Sequence, residues 1–168
     1  MNSHYETERK FLVKTLPFDP SLYPYEIIDQ FYISQLPEIR ARRTSVGSDT
    51  VHVLGIKRSA SNMTKITRKE YNMEISSSEF EGMLREIKGN VIYKRRYHIP
   101  LAVREEAVAE VDIYTSKLTG LKVVEVEFYD EEQANAFIPP IWFGEEVTDD
   151  PKYKNYNLAQ LMCTKDLK

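Results

Sequence analysis

Charged and apolar residues alternate with a period of two along much of the chain, which is the pattern of a β-strand with one polar and one apolar face. In the first such segment, Glu6, Glu8 and Lys10 fall on one face, and Phe11 and Val13 fall on the other. The same alternation marks Tyr5–Val13, Glu38–Thr44, Thr50–Arg58, Lys65–Ile75, Val91–Ile99, Ala107–Tyr114 and Lys122–Tyr129. The pattern predicts a mainly antiparallel β fold, because an antiparallel sheet can keep one face polar.

Helical signals are confined to short stretches. The first combines the spacing of a capping box with apolar residues at i, i+3, i+4 and i+7. The predicted helix N-caps are Ser76, Asp130 and Asn157. No repeat, low-complexity tract or flexible linker interrupts the chain. We therefore expect a single domain over residues 1–168, of the α+β class, in which a few helices cover the sheet.

The composition narrows the classes of protein that the chain can represent. With 168 residues, of which 42% are hydrophobic, the chain is large enough for one domain with a sizeable core. Its 23 basic and 26 acidic residues give a net charge of −3, which lacks the broad positive field of a non-specific nucleic-acid binder. A single cysteine, Cys163, excludes an internal disulfide and a four-cysteine zinc site. Because we find neither a secretory signal nor an apolar run approaching the roughly 20 residues of a membrane span, we expect a cytoplasmic protein.

The charged strand faces hold like charges in pairs, two residues apart. The side chains of such a pair lie about 7 Å apart on one side of a strand, so they repel each other unless a counter-charge lies between them. Paired carboxylates suit a divalent cation, and paired Arg or Lys side chains suit phosphate oxygens. The acidic pairs are Glu6/Glu8 and Glu125/Glu127, and the basic pairs are Arg40/Arg42 and Lys94/Arg96. Ordinary solvated strand faces explain each pair taken alone, whereas converging faces would form a site for a metal–polyphosphate.

The segment Glu6-Thr7-Glu8-Arg9-Lys10 resembles the ExExK signature of the CYTH superfamily, the triphosphate tunnel metalloenzymes. Further segments that resemble this superfamily follow in order, so that the resemblance extends to about Leu161. They are Glu38-Ile39-Arg40-Ala41-Arg42, Gly55-Ile56-Lys57, Arg68-Lys69-Glu70, Lys94-Arg95-Arg96-Tyr97, Glu110-Val111-Asp112 and Val124-Glu125-Val126-Glu127-Phe128. The run from Ala136 to Gly144 is most similar to the short bacterial members that hydrolyse inorganic tripolyphosphate.

This resemblance implies a closed antiparallel barrel of eight strands whose lumen is the active site. The charged faces would then point inward, and the apolar faces would pack outward against the helices. The implied activity is metal-dependent hydrolysis of a phosphoanhydride bond, with Mg²⁺ or Mn²⁺ as the cofactor.

The resemblance also implies roles for individual residues. The implied metal ligands are Glu6, Glu8, Glu70, Asp112, Glu125 and Glu127. The implied phosphate ligands are Lys10, Arg40, Arg42, Lys57, Lys94, Arg96 and Lys154. Lys57 and Tyr32 occupy positions similar to a Lys–Tyr pair that is thought to activate water in some members. Three alternatives remain: the acidic residues only form salt bridges with the facing bases, Lys57 binds phosphate while Tyr32 is a core aromatic, or a metal-bound water is the nucleophile.

The favoured activity is hydrolysis of inorganic tripolyphosphate to diphosphate and phosphate. The alternatives are a class IV adenylate cyclase, a thiamine or nucleoside triphosphatase, and a non-catalytic module that binds polyphosphate or nucleotides. The expected partner is a small-molecule triphosphate, with no nucleic acid and no membrane, and the protein would be a monomer or a homodimer.

Overall fold

The strands close into a barrel in a computed structural model that describes residues 2–59, 66–101 and 108–167. Within these ranges, eight antiparallel strands form the barrel. They are β1 (Asn2–Val13), β2 (Glu26–Gln35), β3 (Glu38–Val46), β4 (Asp49–Ser59), β5 (Thr67–Glu74), β6 (Ile92–Pro100), β7 (Val108–Tyr114) and β8 (Lys122–Phe128). The predicted mainly antiparallel β fold is confirmed. Lys65 and Ala107, at the ends of two predicted strands, lie outside the described residues.

The barrel closes through β1, which pairs with both ends of the strand order β5-β4-β3-β2-β6-β7-β8. Residues 2–7 of β1 pair with β5, and residues 7–12 pair with β8. A further strand, β9 (Phe143–Glu146), extends the sheet by pairing with Phe11 and Val13. The eight-stranded closure that the resemblance implies is therefore confirmed, with one strand added at its margin.

Two helices begin where the sequence predicts. The capping box of Ser76 and Glu79 starts α1 (Ser77–Leu84), and the side chain of Asp130 caps α2 (Glu131–Ala136). The prediction for the last helix is wrong, because α3 (Asn155–Leu158) begins before Asn157. A 3-10 turn at Pro151–Tyr153 leads directly into α3, and the Asn157 amide donates to the Pro151 carbonyl instead of capping the helix.

The remaining helical turns are short. They are the 3-10 segments Pro20–Leu22, Ser116–Leu118 and Thr164–Leu167. Among the described residues, no helix combines the length and apolar character that crossing a membrane would require.

Two apolar clusters cover the outside of the barrel. Beneath α1, Phe31 and Ala41 from β2 and β3 pack with Ile75 and Phe80. On the opposite flank, a larger cluster joins the outward faces of β1, β6, β7 and β8 to Phe143 of β9. The outward direction of the apolar faces is thus confirmed, and it leaves the alternate, charged positions to face the lumen.

A third apolar cluster fills one end of the barrel interior. Its members include Tyr32, Ile92, Tyr114 and Val123, which lie on the inward faces of their strands, together with Leu158 of α3. The lumen is therefore not charged along its whole length. This layer forms a floor against which the polar part of the lumen ends.

Candidate active site

The charged part of the lumen encloses a cavity of about 250 Å³. The strands supply its lining because each contributes every second residue to the interior. Most of the predicted site residues line it: Glu6, Glu8, Lys10, Tyr32, Arg40, Arg42, Lys57, Glu70, Arg96, Glu125, Glu127 and Lys154. The barrel thus brings together residues that are spread over nearly 150 positions of the chain.

Lys94 and Asp112 are the predicted site residues that do not reach this cavity. Both side chains are fully buried and form an ion pair with each other. Asp112 also accepts hydrogen bonds of 2.7 Å from Nε and Nη2 of Arg96. Burial and the neighbouring Arg96 lower the pKa of Lys94 to about 8. The structure therefore places this pair behind Arg96, where it holds the guanidinium toward the lumen.

On one wall, Glu70 and Glu6 are held by two cations. Arg40 Nη2 donates to Glu70 at 2.6 Å, and Lys57 Nζ donates to Glu6 at 2.5 Å. Lys57 Nζ is also 3.7 Å from Glu70. Although burial opposes ionisation, Lys57 and Arg40 hold the pKa of Glu70 at about 2.

On the other side of β1, Glu125 of β8 is the carboxylate shared by two cations. Lys10 Nζ and Arg96 Nη2 each lie 2.7 Å from its oxygens. Despite burial, Lys10 and Arg96 hold the pKa of Glu125 well below its usual range. Arg96 also pairs with Glu110, which lines the cavity as well. Glu70 and Glu125 therefore remain ionised, and they pair with Arg40, Lys57, Lys10 and Arg96.

Arg68 is a lining residue that the predicted set omits. Its guanidinium lies 2.6 Å from Glu8, 3.8 Å from Glu6 and 3.7 Å from Glu38. Burial opposes protonation, but these three carboxylates outweigh it and raise the pKa of Arg68. Its position two residues before Glu70 on β5 is the sequence signal that places it in the lumen.

Arg42 is a lumen guanidinium with no ion pair in the part of the chain that the structure describes. Its Nε is buried and has no hydrogen-bond partner there. Burial and the neighbouring cations Arg40 and Arg96 lower its pKa to about 10. An anion entering the lumen would meet this side chain as an uncommitted donor.

Glu127 is the acidic counterpart of Arg42, since it also forms no ion pair within the described residues. Its side chain keeps contact with solvent. Partial desolvation inside the barrel and the negative charges of Glu110, Glu6 and Glu8 raise its pKa to about 7. Carboxylates gathered in this way supply the oxygen ligands that Mg²⁺ or Mn²⁺ prefers. In the described ranges, no three acidic or histidine side chains already surround a metal position. The donor chemistry therefore fits a divalent cation, whose binding would draw these carboxylates together.

Lys57 and Tyr32 share the cavity but are bonded to other residues. Lys57 faces Glu6, as described above, while the Tyr32 hydroxyl accepts a 3.1 Å hydrogen bond from Gln30 Nε2. Burial and nearby Glu38 raise the pKa of Tyr32 far above its usual range, so the phenol keeps its hydrogen.

The C-terminal segment completes the lining with Thr148, Tyr153 and Asn155. It docks on Lys10: Val147 N–H donates to the Lys10 carbonyl at 2.8 Å, and Lys10 N–H donates to Thr148 Oγ1 at 3.0 Å. A wider cavity of about 720 Å³ adjoins the lumen and shares Lys154 with it. Exposed Lys154 therefore lies where the two cavities adjoin.

The chain is similar to proteins named inorganic triphosphatase, although no family model matches it. An inorganic triphosphatase of Nitrosomonas europaea is 36% identical over 154 residues, which cover 92% of this chain and 96% of that protein. An inorganic triphosphatase of Acetivibrio thermocellus is 38% identical over 98 residues, which cover 58% of this chain and 60% of that protein.

Solved structures agree with the sequence comparison. A crystal structure of an inorganic triphosphatase is 34% identical and has a TM-score of 0.64, with 94% of this chain and 96% of the other covered. A Bacillus halodurans protein described as an adenylate cyclase candidate is 16% identical with a TM-score of 0.57, covering 96% of this chain and 94% of its own. At that identity the likeness concerns the fold alone.

Proposed function

The chain belongs to the inorganic triphosphatases of the CYTH superfamily, and from that premise we propose that it hydrolyses inorganic tripolyphosphate to diphosphate and phosphate in its barrel lumen. The observation that carries this proposal is the pair of uncommitted charges in one enclosed cavity. Arg42 offers donors to an anion, and Glu127 offers oxygens to a cation. A metal–triphosphate complex presents both complementary charges.

Glu127, Glu6 and Glu8 would hold the divalent cation, with Glu110 beside them. When bound, Mg²⁺ or Mn²⁺ neutralises negative charge on the phosphoryl oxygens during transfer. Glu6 and Glu8 are paired with Lys57 and Arg68, so a bound cation would share these carboxylates with the two bases. Asp112, Glu70 and Glu125 also fix the positions of the basic side chains with which they pair.

The basic residues would grip the phosphate chain. Arg42 can bind phosphate without breaking an ion pair. Lys10, Arg40 and Arg96 already contact carboxylates, so they would share their donors with phosphate oxygens. A guanidinium binds such oxygens in a fixed bidentate geometry, while an ammonium acts as a compact point charge. Together these contacts position the substrate and stabilise the charge that develops during transfer.

Lys57 is the side chain that we propose as proton acceptor for the attacking water, after its ammonium has released to solvent the proton that it shares with Glu6. Lys57 lines the same cavity as Arg42 and Glu127, so its amine and a bound triphosphate would share one enclosed space. A group that accepts this proton raises the rate typically by 10²–10⁴-fold.

Product analysis tests the proposed activity. Purified protein with Mg²⁺ or Mn²⁺ is given tripolyphosphate, ATP or thiamine triphosphate, and released phosphate and cyclic AMP are measured. We expect phosphate from tripolyphosphate, and no turnover in excess chelator. Cyclic AMP from ATP would identify a cyclase, preferential cleavage of an organic triphosphate would change the substrate, and tight binding without cleavage would identify a binding module.

Further features of the proposal concern the protein as a whole. We propose that residues 1–168 act as a single domain, that the protein works in the cytoplasm as a monomer or homodimer, and that its partner is the small-molecule substrate rather than nucleic acid.

A further inference from the structure

The buried amide of Gln30 has no role in the chemistry above, yet it touches a residue that lines the cavity. Gln30 is 0% exposed and lies two residues before Tyr32 on the same face of β2. Its Nε2 donates to the Tyr32 hydroxyl oxygen at 3.1 Å, while its Oε1 has no hydrogen-bond partner among the described residues. Buried polar atoms are nearly always paired, so an amide committed to one hydroxyl requires an explanation.

The surroundings of the amide favour this orientation of its two ends. Arg42 lies directly opposite Gln30 in the pairing of β2 with β3, and directly opposed residues share a face of the sheet. A guanidinium offers only donors. If the amide were reversed, its NH₂ group rather than its oxygen would share this part of the lumen with the donors of Arg42. The amide nitrogen therefore belongs on the Tyr32 hydroxyl.

An acceptor role for the hydroxyl oxygen decides where its hydrogen can go. The Tyr32 hydroxyl has one hydrogen to donate, and its oxygen already accepts a hydrogen bond from Gln30 Nε2. The hydroxyl hydrogen must therefore point away from Gln30. Tyr32 is 8% exposed, and its ring packs edge-on against Tyr156 at a centroid distance of 5.5 Å, so the hydroxyl has little freedom to move. The open direction for its hydrogen is the cavity that Tyr32 lines.

We infer that Gln30 is a positioning residue that turns the Tyr32 hydroxyl hydrogen into the lumen, where it donates to a phosphate oxygen of the substrate. This inference rests on the proposed function, because it needs a phosphate in the lumen. Tyr32 then serves as a neutral hydrogen-bond donor rather than as part of the group that removes a proton from water.

A double-mutant cycle tests the assignment. The single variants Gln30→Met and Tyr32→Phe each lose the same oriented donor, so each should lower kcat/KM for tripolyphosphate by roughly 10- to 100-fold. The double variant should be no worse than Tyr32→Phe alone, because Gln30 acts only through the hydroxyl. Losses that multiply in the double variant would overturn the inference, since they would show that Gln30 shapes the lumen independently of Tyr32.

The pH–rate profile supplies a readout that a purely structural role would not give. Tyr32→Phe should retain the wild-type profile at reduced rate, because a donor that keeps its proton does not titrate. A displaced alkaline limb would overturn the donor role. Gln30→Glu replaces the amide donor with a carboxylate that accepts the hydroxyl hydrogen, so it should lower kcat/KM as Gln30→Met does. If Gln30→Met does not fold, Gln30→Glu takes its place in the double-mutant cycle.

Controls separate this inference from the activity itself. Gln160→Met changes an exposed glutamine outside the charged lumen and should leave kcat/KM unchanged. A wild-type protein that does not cleave tripolyphosphate would refute the proposed function. An active wild-type protein with multiplicative losses in the cycle would refute only the role of Gln30.

Discussion

At the scale of single residues, we expect Arg42 to bind the substrate and, because it is buried beside two other cations, to destabilise the unliganded protein. Arg42→Met keeps most of the aliphatic volume and removes a cation that Arg40 and Arg96 disfavour. We expect KM for tripolyphosphate to rise by the equivalent of about 1.5–3 kcal/mol, from loss of one charged contact. The melting temperature of the free protein should stay the same or rise, because a group that serves activity is often unfavourable for stability.

Steady-state kinetics and thermal unfolding check both parts of this prediction. Arg95→Met is the matched control, since Arg95 lies outside the barrel with its guanidinium 4.9 Å from the Tyr25 ring centroid. An unchanged KM in Arg42→Met, or a loss of stability, would contradict the account of an uncommitted cation.

Glu127 should make metal binding depend on pH near neutrality. Because its pKa is raised to about 7, protons compete with a cation below that pH, and the carboxylate is available above it. We expect the affinity for Mn²⁺ to increase between roughly pH 6 and pH 8, with proton release on binding. Calorimetric titration in buffers of different ionisation enthalpy measures both quantities.

The Glu127→Gln variant should bind Mn²⁺ weakly and with little pH dependence over this range. Glu145→Gln, at an exposed position of β9, should behave like the wild type. Equal pH dependence in Glu127→Gln and in the wild type would assign the titration to another group.

Lys57 can be tested by separating its charge from its ability to lose a proton. Lys57→Arg keeps a positive contact but introduces a group that stays protonated. If Lys57 accepts the proton from water, kcat should fall by about 10²–10⁴-fold and the alkaline limb of the rate profile should disappear. A change confined to KM would reduce Lys57 to a phosphate ligand.

At the scale of elements, Arg9 fastens α2 and β9 to the outer face of β1. Its guanidinium donates to the carbonyls of Ala134 and Phe137 at 2.8 and 3.1 Å, and to both carboxylate oxygens of Glu146. It also lies 5.1 Å from the ring centroid of Phe11. The basic residue beside the lumen motif therefore serves the covering layer rather than the site.

Arg9→Ala should lower the free energy of unfolding by about 1.5–3 kcal/mol, because partly buried carbonyls lose a charged donor. Once folded, the variant should keep the wild-type KM, since the side chain points away from the lumen. Denaturant titration and kinetics at low temperature test this separation, and a raised KM without a loss of stability would contradict it.

Alternation of charged and apolar residues could identify seven of the eight barrel strands, because most of them have one charged and one apolar face. β2 shows no such alternation, since Ile28, Gln30 and Tyr32 face inward while the outward Phe31 is also buried. β9 is only four residues long and includes Gly144, so it is too short to show a period. A strand that is buried on both faces or very short leaves little periodic signal.

The membership of the lumen was predictable from side-chain direction, but depth along its axis was not. Lys94 and Asp112 point inward like Arg96, yet they lie beneath the cavity. The depth of a side chain along the barrel axis depends on the stagger between neighbouring strands. This stagger is set when the barrel closes, so the sequence of a single strand does not reveal it. The same stagger decides which cations meet which carboxylates, and hence which charges remain unpaired.

At the scale of the whole molecule, substrate and fold should stabilise each other. A ligand that binds only the folded barrel adds roughly 2.7 kcal/mol of stability at a hundredfold excess over Kd. We expect tripolyphosphate with Mn²⁺ to raise the melting temperature more than monophosphate with Mn²⁺ at equal concentration. Equal shifts in a thermal unfolding assay would indicate a site that is not shaped for three linked phosphates.

The pairing of β1 with β5, β8 and β9 has a consequence for how the protein is made. During synthesis β1 emerges before the other described strands, but its partners extend to Phe128 and Glu146. Until those residues are available, β1 lacks these partners, and such open strand margins favour association with other chains. Folding that depends on contacts so distant in sequence is comparatively slow. No intermediate lacking β8 can enclose a triphosphate, so enzymatic activity should appear during refolding only as the ring of strands becomes continuous.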